Sequence, residues 1–372
     1  MIKQYLSRIF FNMSGWRTNR KIVVIESDDW GSIRMPSRDV YLHCLQEGYP
    51  VDKISYERYD SLASEDDLEL LFDLLSSFRD GSGNSPVITS NCVVANPDFE
   101  RIKAEKFQTY HYELITDTFK KYPRHQRNFE LWKQGMESRI FHPQYHGREH
   151  LNVSLFMEAL RNGDKTAHFG FEQQMPGSIP RGPEVDGNHY VEALRYHSQQ
   201  DKEEKLKFFQ EGLDIFESLF GYRSESIIPP NYTWSPDFDQ AVLEQGVRYF
   251  QGLRLMAEPV PGEKSKQHSI QLGKKNQFGQ TYLVRNSLFE PSMFGLGIKD
   301  PVDRCLNEMR IAFSLKKPTI ITSHRINYVG FIDPGNRDRN LKLLNQLLSR
   351  ALRRWPDIEF KTSDELGRLI DF

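Results

Sequence analysis

Apolar positions along this chain follow two alternating patterns. Short β-branched or aromatic runs form the first, beginning with Lys21-Ile22-Val23-Val24-Ile25-Glu26. A continuous apolar run of that length predicts a strand buried on both faces, as in a parallel sheet. Runs of the same kind recur at 87–91, 139–141, 226–228, 248–250, 282–284 and 319–322. Between them, apolar residues return every three or four positions, which predicts helices. Ser37 caps one that runs to Gly48. Ser64, with Asp67 three residues on, opens another through Leu68, Leu71, Leu74 and Leu75 to Phe78. Long amphipathic stretches cover 201–220, stopped by Gly221, and 337–355. Strands alternating with helices in this way predict a (β/α) barrel, complete or incomplete.

Two segments fit the alternation poorly, the charged and aromatic 97–135 and the Gly/Pro-rich 168–190. Both read as loops or lids over one barrel mouth. No linker divides the chain, so residues 1–372 are expected to form one domain, with 1–20 as a helical extension. Ile2, Leu6, Ile9 and Phe10 share one side of that extension, with Lys3, Arg8 and Arg17 nearby. The plain reading is a helix packed on the domain; peripheral membrane contact is the other. Its longest apolar stretch, Ile9-Phe10-Phe11, is too short for a signal-peptide core, and a cytoplasmic location is expected. Hydrophobic residues make up 38% of the 372, ample for a large core. The net charge of -2 gives no support for a nucleic-acid partner. Three scattered cysteines form neither a zinc knuckle nor a disulfide framework.

Candidate chemistry gathers at three places. The stretch from Phe141 to His150 holds three of the eleven histidines. His146 and His150 are four apart, so on a helix they would differ by about 40° and reach one metal ion together. Two imidazoles leave a zinc-like ion short of ligands, and a carboxylate would complete the set. Asp28 and Asp29, adjacent at the end of a buried strand, supply candidates: one as ligand, its neighbour as base toward the attacking water. The strand through Ile321-Thr322-Ser323 likewise ends on a polar group, His324, a candidate general acid at the same mouth. The plainer alternatives are a capping Asp, surface histidines and a structural strand-end His.

Together these residues resemble the polysaccharide deacetylases of the NodB-homology, carbohydrate esterase type, in a divergent form. Glu26-Ser27-Asp28-Asp29-Trp30-Gly31 is similar to the family's T-F-D-D-G strand end, with one residue inserted. His146-Gly147-Arg148-Glu149-His150 resembles its H-S/T-x-x-H motif, and Ile321-Thr322-Ser323-His324 its closing L-x-H. The segment from Trp355 to Leu366 resembles its last strand and helix, so the likeness spans nearly the whole chain. The resemblance implies a deformed (β/α) barrel. It also implies Asp28 as base, Asp29, His146 and His150 as ligands of a divalent metal (Zn2+ expected), and His324 as acid. In the family's R-x-P-P element, Ile227 stands where the arginine that tethers the base would fall, ahead of Pro229 and Pro230. Arg285 and Arg148 are the candidates to replace it, and Asn231 or Tyr232 to offer an oxyanion-binding N–H. The expected activity is metal-dependent removal of an N-acetyl group from an amino sugar in an acetylated saccharide. The alternatives are an allantoinase-like hydrolase of another C–N bond, and a metal-binding glycan binder with weak turnover.

Overall fold

A computed structural model describes residues 8–176, 189–296 and 300–372. Nine parallel strands form the main sheet, numbered here in chain order: β1 Lys21–Trp30, β2 Ile88–Cys92, β3 Phe141–Tyr145, β4 Ser226–Ile227, β5 Tyr249–Gly252, β6 Thr281–Val284, β7 Ser287–Leu288, β8 Thr319–His324 and β9 Ile358–Phe360. Their spatial order is β6-β5-β4-β3-β2-β1-β8-β7, with β9 paired to the first residues of β1. The two edge strands, β6 and β7, are consecutive in sequence and separated only by Arg285 and Asn286. Arg285 N–H donates to Gly252 O on one side (3.0 Å), and Asn286 N–H to Ile320 O on the other (3.0 Å). The chain thus steps from one edge of the curled sheet to the other in two residues. This seam closes a deformed (β/α) barrel without a hydrogen-bonded ladder.

The predicted strands are present, with shifted ends. β1 runs to Trp30 rather than stopping at Glu26, so both aspartates lie on the strand itself. The strand expected at 139–141 is instead Phe141–Tyr145; Pro143, which can give no ladder N–H, disguised it in the sequence. The helices occupy Arg38–Gln46, Glu65–Ser76, Gln199–Phe220 and Pro334–Arg354. Ser64 and Asp67 form a complete capping box, and Gly221 closes its helix at φ +79°. Segment 97–135 is not a loop. It carries the helices Phe99–Ala104, Ile115–Lys121 and Asn128–Glu137, and pairs Ala95–Pro97 with Tyr112–Leu114. Trp132 is a core residue, buried against Trp30, Phe141 and Phe119, whereas Phe107, Tyr110, Tyr112 and Phe129 are half-buried. Segment 168–190 begins as the helix Lys165–Glu172, and its stretch 177–188 lies outside the described residues.

Residues 1–7 of the N-terminal extension also lie outside the described residues. Residues 8–12 are helical and tied to the barrel. Asn286 Nδ2 donates to Asn12 Oδ1 (3.0 Å), and Arg8 pairs with Glu308 (2.8 Å). Among the described residues, no helix is long and apolar enough to cross a membrane.

Candidate active site

The C-terminal ends of the strands surround a cavity of about 370 Å³ into which Asp28, Asp29, His146, His150, Tyr232 and His324 all face. Consecutive strand residues normally point to opposite faces. Here the β1–β2 register slips between Ser27 and Trp30, and Asp29 adopts φ +74°. That bulge re-aims the second aspartate, so both carboxylates reach the same cavity.

His146 and His150 follow β3 on a loop, not on a helix as their spacing suggested. Gly147, at φ +126°, turns the chain between them. Asp29 Oδ1 lies 3.6 Å from His146 Nε2 and 3.5 Å from His150 Nε2. Both distances exceed a good hydrogen bond. They match two ligand atoms sharing one zinc-class ion, which at bond lengths of about 2.1 Å and tetrahedral angles sit about 3.4 Å apart. His146 Nδ1–H donates to Ile228 O (2.7 Å), which fixes the tautomer and leaves Nε2 as a lone pair toward Asp29. Burial, helped by the charge of Arg34, pushes His150 down to about 3, so its imidazole is neutral. Burial alone would raise Asp29, but the charge of Arg34 holds it well below the usual carboxylate range. One ring nitrogen from each histidine and an ionised carboxylate are the donor set a divalent cation requires. The three residues therefore fit one.

Asp28 belongs to a different arrangement. Arg285, fully buried at the seam, grips it with both guanidinium ends: Nη1 to Oδ2 at 2.7 Å and Nη2 to Oδ1 at 2.6 Å. Its Nε donates to Glu26 Oε2 at 2.5 Å. Asn91 Nδ2 donates to Asp28 Oδ1 at 2.7 Å. Burial works against ionisation of Asp28, and Arg285 outweighs it, bringing the group down to about 2. For Glu26 the balance reverses and burial wins, raising it. Arg285 thus occupies, from a different strand, the place opposite Asp28 for which Ile227 offers no side chain. Arg148 does not meet Asp28. It is buried between Glu149 (2.7 Å) and Glu211 (2.6 Å) and lies over the rings of Tyr112 and Phe208, outside the cavity.

His324 ends β8 with Nε2 3.6 Å from Asp28 Oδ2. Its Nδ1–H donates to Glu290 Oε1 at 2.5 Å, and Asn327 holds the other oxygen of that carboxylate at 2.6 Å. Burial would lower His324, but Glu290, with Asp28 and Asp29 behind it, raises it to about 9. Beyond the prolines, Asn231 and Tyr232 both take left-handed backbone, at φ +54° and +55°. The Tyr232 N–H is spent on Pro229 O at 2.9 Å, so of the two proposed oxyanion donors Asn231 stays the candidate. The Tyr232 hydroxyl instead accepts from Arg285 Nη1 at 3.2 Å.

Several residues that complete the site were not singled out from the sequence: Glu290, Asn91, Arg34, Tyr56 and Glu57. Glu290 had a signal, as an acid directly after the apolar pair Leu288-Phe289 and five residues after Arg285. Asn91 had one too, as a polar residue closing the apolar run at 87–91, whereas Arg34, Tyr56 and Glu57 lie on a loop and a short helix whose approach to the barrel mouth is purely tertiary.

The sequence matches no family profile and no curated protein. Among solved structures, the chain is similar to the allantoinase PuuE, at 12% identity and TM-score 0.48, over 95% of this chain and 91% of that one. It is similar to a Mycobacterium smegmatis protein assigned as a polysaccharide deacetylase, at 11% identity and TM-score 0.45, over 96% and 93%. It is also similar to a 4-alpha-glucanotransferase from Thermococcus litoralis, at 10% identity and TM-score 0.43; there it covers 93% of itself but 40% of the longer chain.

Proposed function

We propose that this chain is a metal-dependent hydrolase that removes the N-acetyl group from an amino sugar of a saccharide or glycan precursor. The observation that carries the reading is the single oxygen, Asp29 Oδ1, set 3.5–3.6 Å from two histidine nitrogens beside an independent Asp–His pair. A divalent cation, Zn2+ by its donor set, would acidify water and polarise the acetyl carbonyl there.

The chain's own residues supply the rest. Asp28, kept ionised by Arg285, accepts the proton of the attacking water. A carboxylate held near 2 is a weak base, so the cation that Asp29, His146 and His150 would hold would have to supply the acidity of that water. Asn231 N–H would receive the oxyanion. His324, protonated at neutral pH, donates its Nε2 proton to the departing amine. Acetate and a free amine result. The proton on Asp28 then resets His324 across their 3.6 Å separation, downhill from about 2 to about 9. Tyr56 and Tyr232 line the pocket and offer aromatic faces to a sugar ring. Arg285 grips Asp28 although Ile227 offers no arginine, which favours turnover over the glycan-binder alternative.

The test is a screen for acetate release from N-acetylated saccharides by the zinc-loaded protein, with elemental analysis of the same sample. Stoichiometric zinc with acetate release that stops in Asp28→Asn is the expected result. Stoichiometric zinc without turnover on any acetylated saccharide, while another C–N amide is cleaved, would replace the deacetylase with that hydrolase.

A further inference from the structure

Arg34 lines the cavity, and the proposed chemistry leaves it unused. It follows β1 and is 7% exposed, and its guanidinium hangs between two carboxylates without a close bond to either. Nη2 is 3.4 Å from Asp29 Oδ1, and Nε is 3.8 Å from Asp60 Oδ2. The Nε itself is buried without a hydrogen-bond partner among the described residues. Asp60 is committed elsewhere, held bidentately by Arg325 at 3.0 and 2.9 Å. Glu57, which also lines the cavity, has a buried carboxyl oxygen with no partner among the described residues.

The oxygen that Arg34 approaches is the one both histidines face. A cation bound by Asp29, His146 and His150 would use the same Asp29 Oδ1. We propose that Arg34 is a built-in competitor for the metal, which makes the buried carboxylate tolerable without a metal and weakens metal binding. This inference rests on the metal site proposed above.

Two opposite effects are available to an arginine beside a metal ligand. As an orienting partner it would strengthen binding, and its loss would weaken affinity 10- to 100-fold. As a second positive charge within a few ångströms of a divalent ion it would oppose binding. Three observations favour opposition. The 3.4 Å contact is too long to orient the carboxylate. Asp29 is already aimed by the β-bulge and its left-handed backbone. The approach is made to the ligand oxygen, so guanidinium and cation draw on the same lone pairs. When the cation binds, Arg34 is repelled toward Asp60, whose Oδ2 already stands 3.8 Å from its Nε.

The experiment compares zinc affinity, by competition with a chromophoric chelator, and thermal stability with and without Zn2+. The proteins are wild type, Arg34→Gln and Arg34→Lys. Arg34→Gln is expected to bind zinc about tenfold or more tighter. Its metal-free midpoint should fall, because Asp29 is left buried without a cation, and its gain on adding zinc should exceed that of wild type. Folding of Arg34→Gln only in the presence of zinc supports the same conclusion. Arg34→Lys, which keeps the charge, should stay within about threefold of wild type. The absorption spectrum of bound Co2+ should be unchanged in Arg34→Gln, since the ligand geometry does not depend on Arg34. Equal or weaker zinc binding by Arg34→Gln overturns the proposal. If Arg34→Gln does not fold even with zinc, tighter binding by Arg34→Lys overturns it and wild-type affinity supports it. Wild-type protein that binds no zinc at all sinks the metal site itself, a result distinct from either.

Discussion

Replacing Glu290 with glutamine removes a charge from beside His324 while keeping the shape of its partner. Burial by itself drives His324 toward the neutral form, and the Glu290 carboxylate, 2.5 Å from Nδ1, is the strongest influence reversing it. The group ends near 9, against an ordinary value of about 6.5. At about 1.4 kcal/mol per unit, the fold favours the imidazolium by about 3 kcal/mol. Since the folded value lies above the unfolded one, this stabilisation is complete below about pH 6.5 and is lost as pH climbs through about 9. The assay is urea unfolding of wild type and Glu290→Gln between pH 5.5 and 10, with a chelator present so that no metal perturbs the histidine. Wild type should exceed the variant by about 3 kcal/mol at pH 6, and the gap should shrink steadily toward pH 9.5. Histidine ring resonances followed by NMR should show one titration moving down from about 9 in the variant. Parallel stability curves, with a constant gap across the range, would refute the pairing as the source of the shift.

Alanine at His146 or His150 should abolish bound zinc and turnover together, read by elemental analysis and acetate release; full metal content in either variant excludes them as ligands. Asp28→Asn should retain zinc and fold yet lose turnover by at least about 100-fold, the usual size of a lost general base. Arg285→Met strands Glu26 and Asp28 as buried carboxylates, and breaking such a pair should destabilise by about 3–5 kcal/mol in denaturant unfolding. A loss under about 1 kcal/mol would show that the charges are screened by other means.

The fold was legible wherever apolar residues repeat without interruption. β1, β8 and the two long helices were read closely because burial on both faces, or along one stripe, leaves a clear period. β3 was misplaced because Pro143 and the polar His142 and Gln144 break its apolar run. Those polar residues are tolerated by internal bonding: Gln144 Oε1 accepts from Ser226 Oγ at 2.7 Å, and Gln251 Nε2 donates to the same Ser226 at 2.9 Å. Residues of the site on strand ends (Asp28, Asp29, His324) were visible because a polar cluster closing an apolar run is a local signal. The helical reading of His146 and His150 failed because four-residue spacing is equally compatible with a glycine-turned loop. Glu26 carried a signal not used: an acid inside a buried strand needs a cation, and its partner lies 259 positions away. Contacts at that separation leave no periodic trace.

The seam at Arg285–Asn286 has a bearing on the order of folding. β6 and β7 are neighbours in sequence but sit at opposite edges of the sheet, so they approach their final places only when the strands between them have wound round. Arg285 meets Glu26 and Asp28 only once β7, β8 and β1, drawn from distant parts of the chain, have come together. The salt-bridged core is therefore expected to assemble late, after β1 and β8 have paired. An interaction absent from the transition state acts on the unfolding rate and leaves refolding almost untouched. In a chevron plot, Arg285→Met should steepen escape from the native state while the refolding arm stays where it was. The arginine that grips Asp28 is thereby expected to act also as the latch on the native state's lifetime.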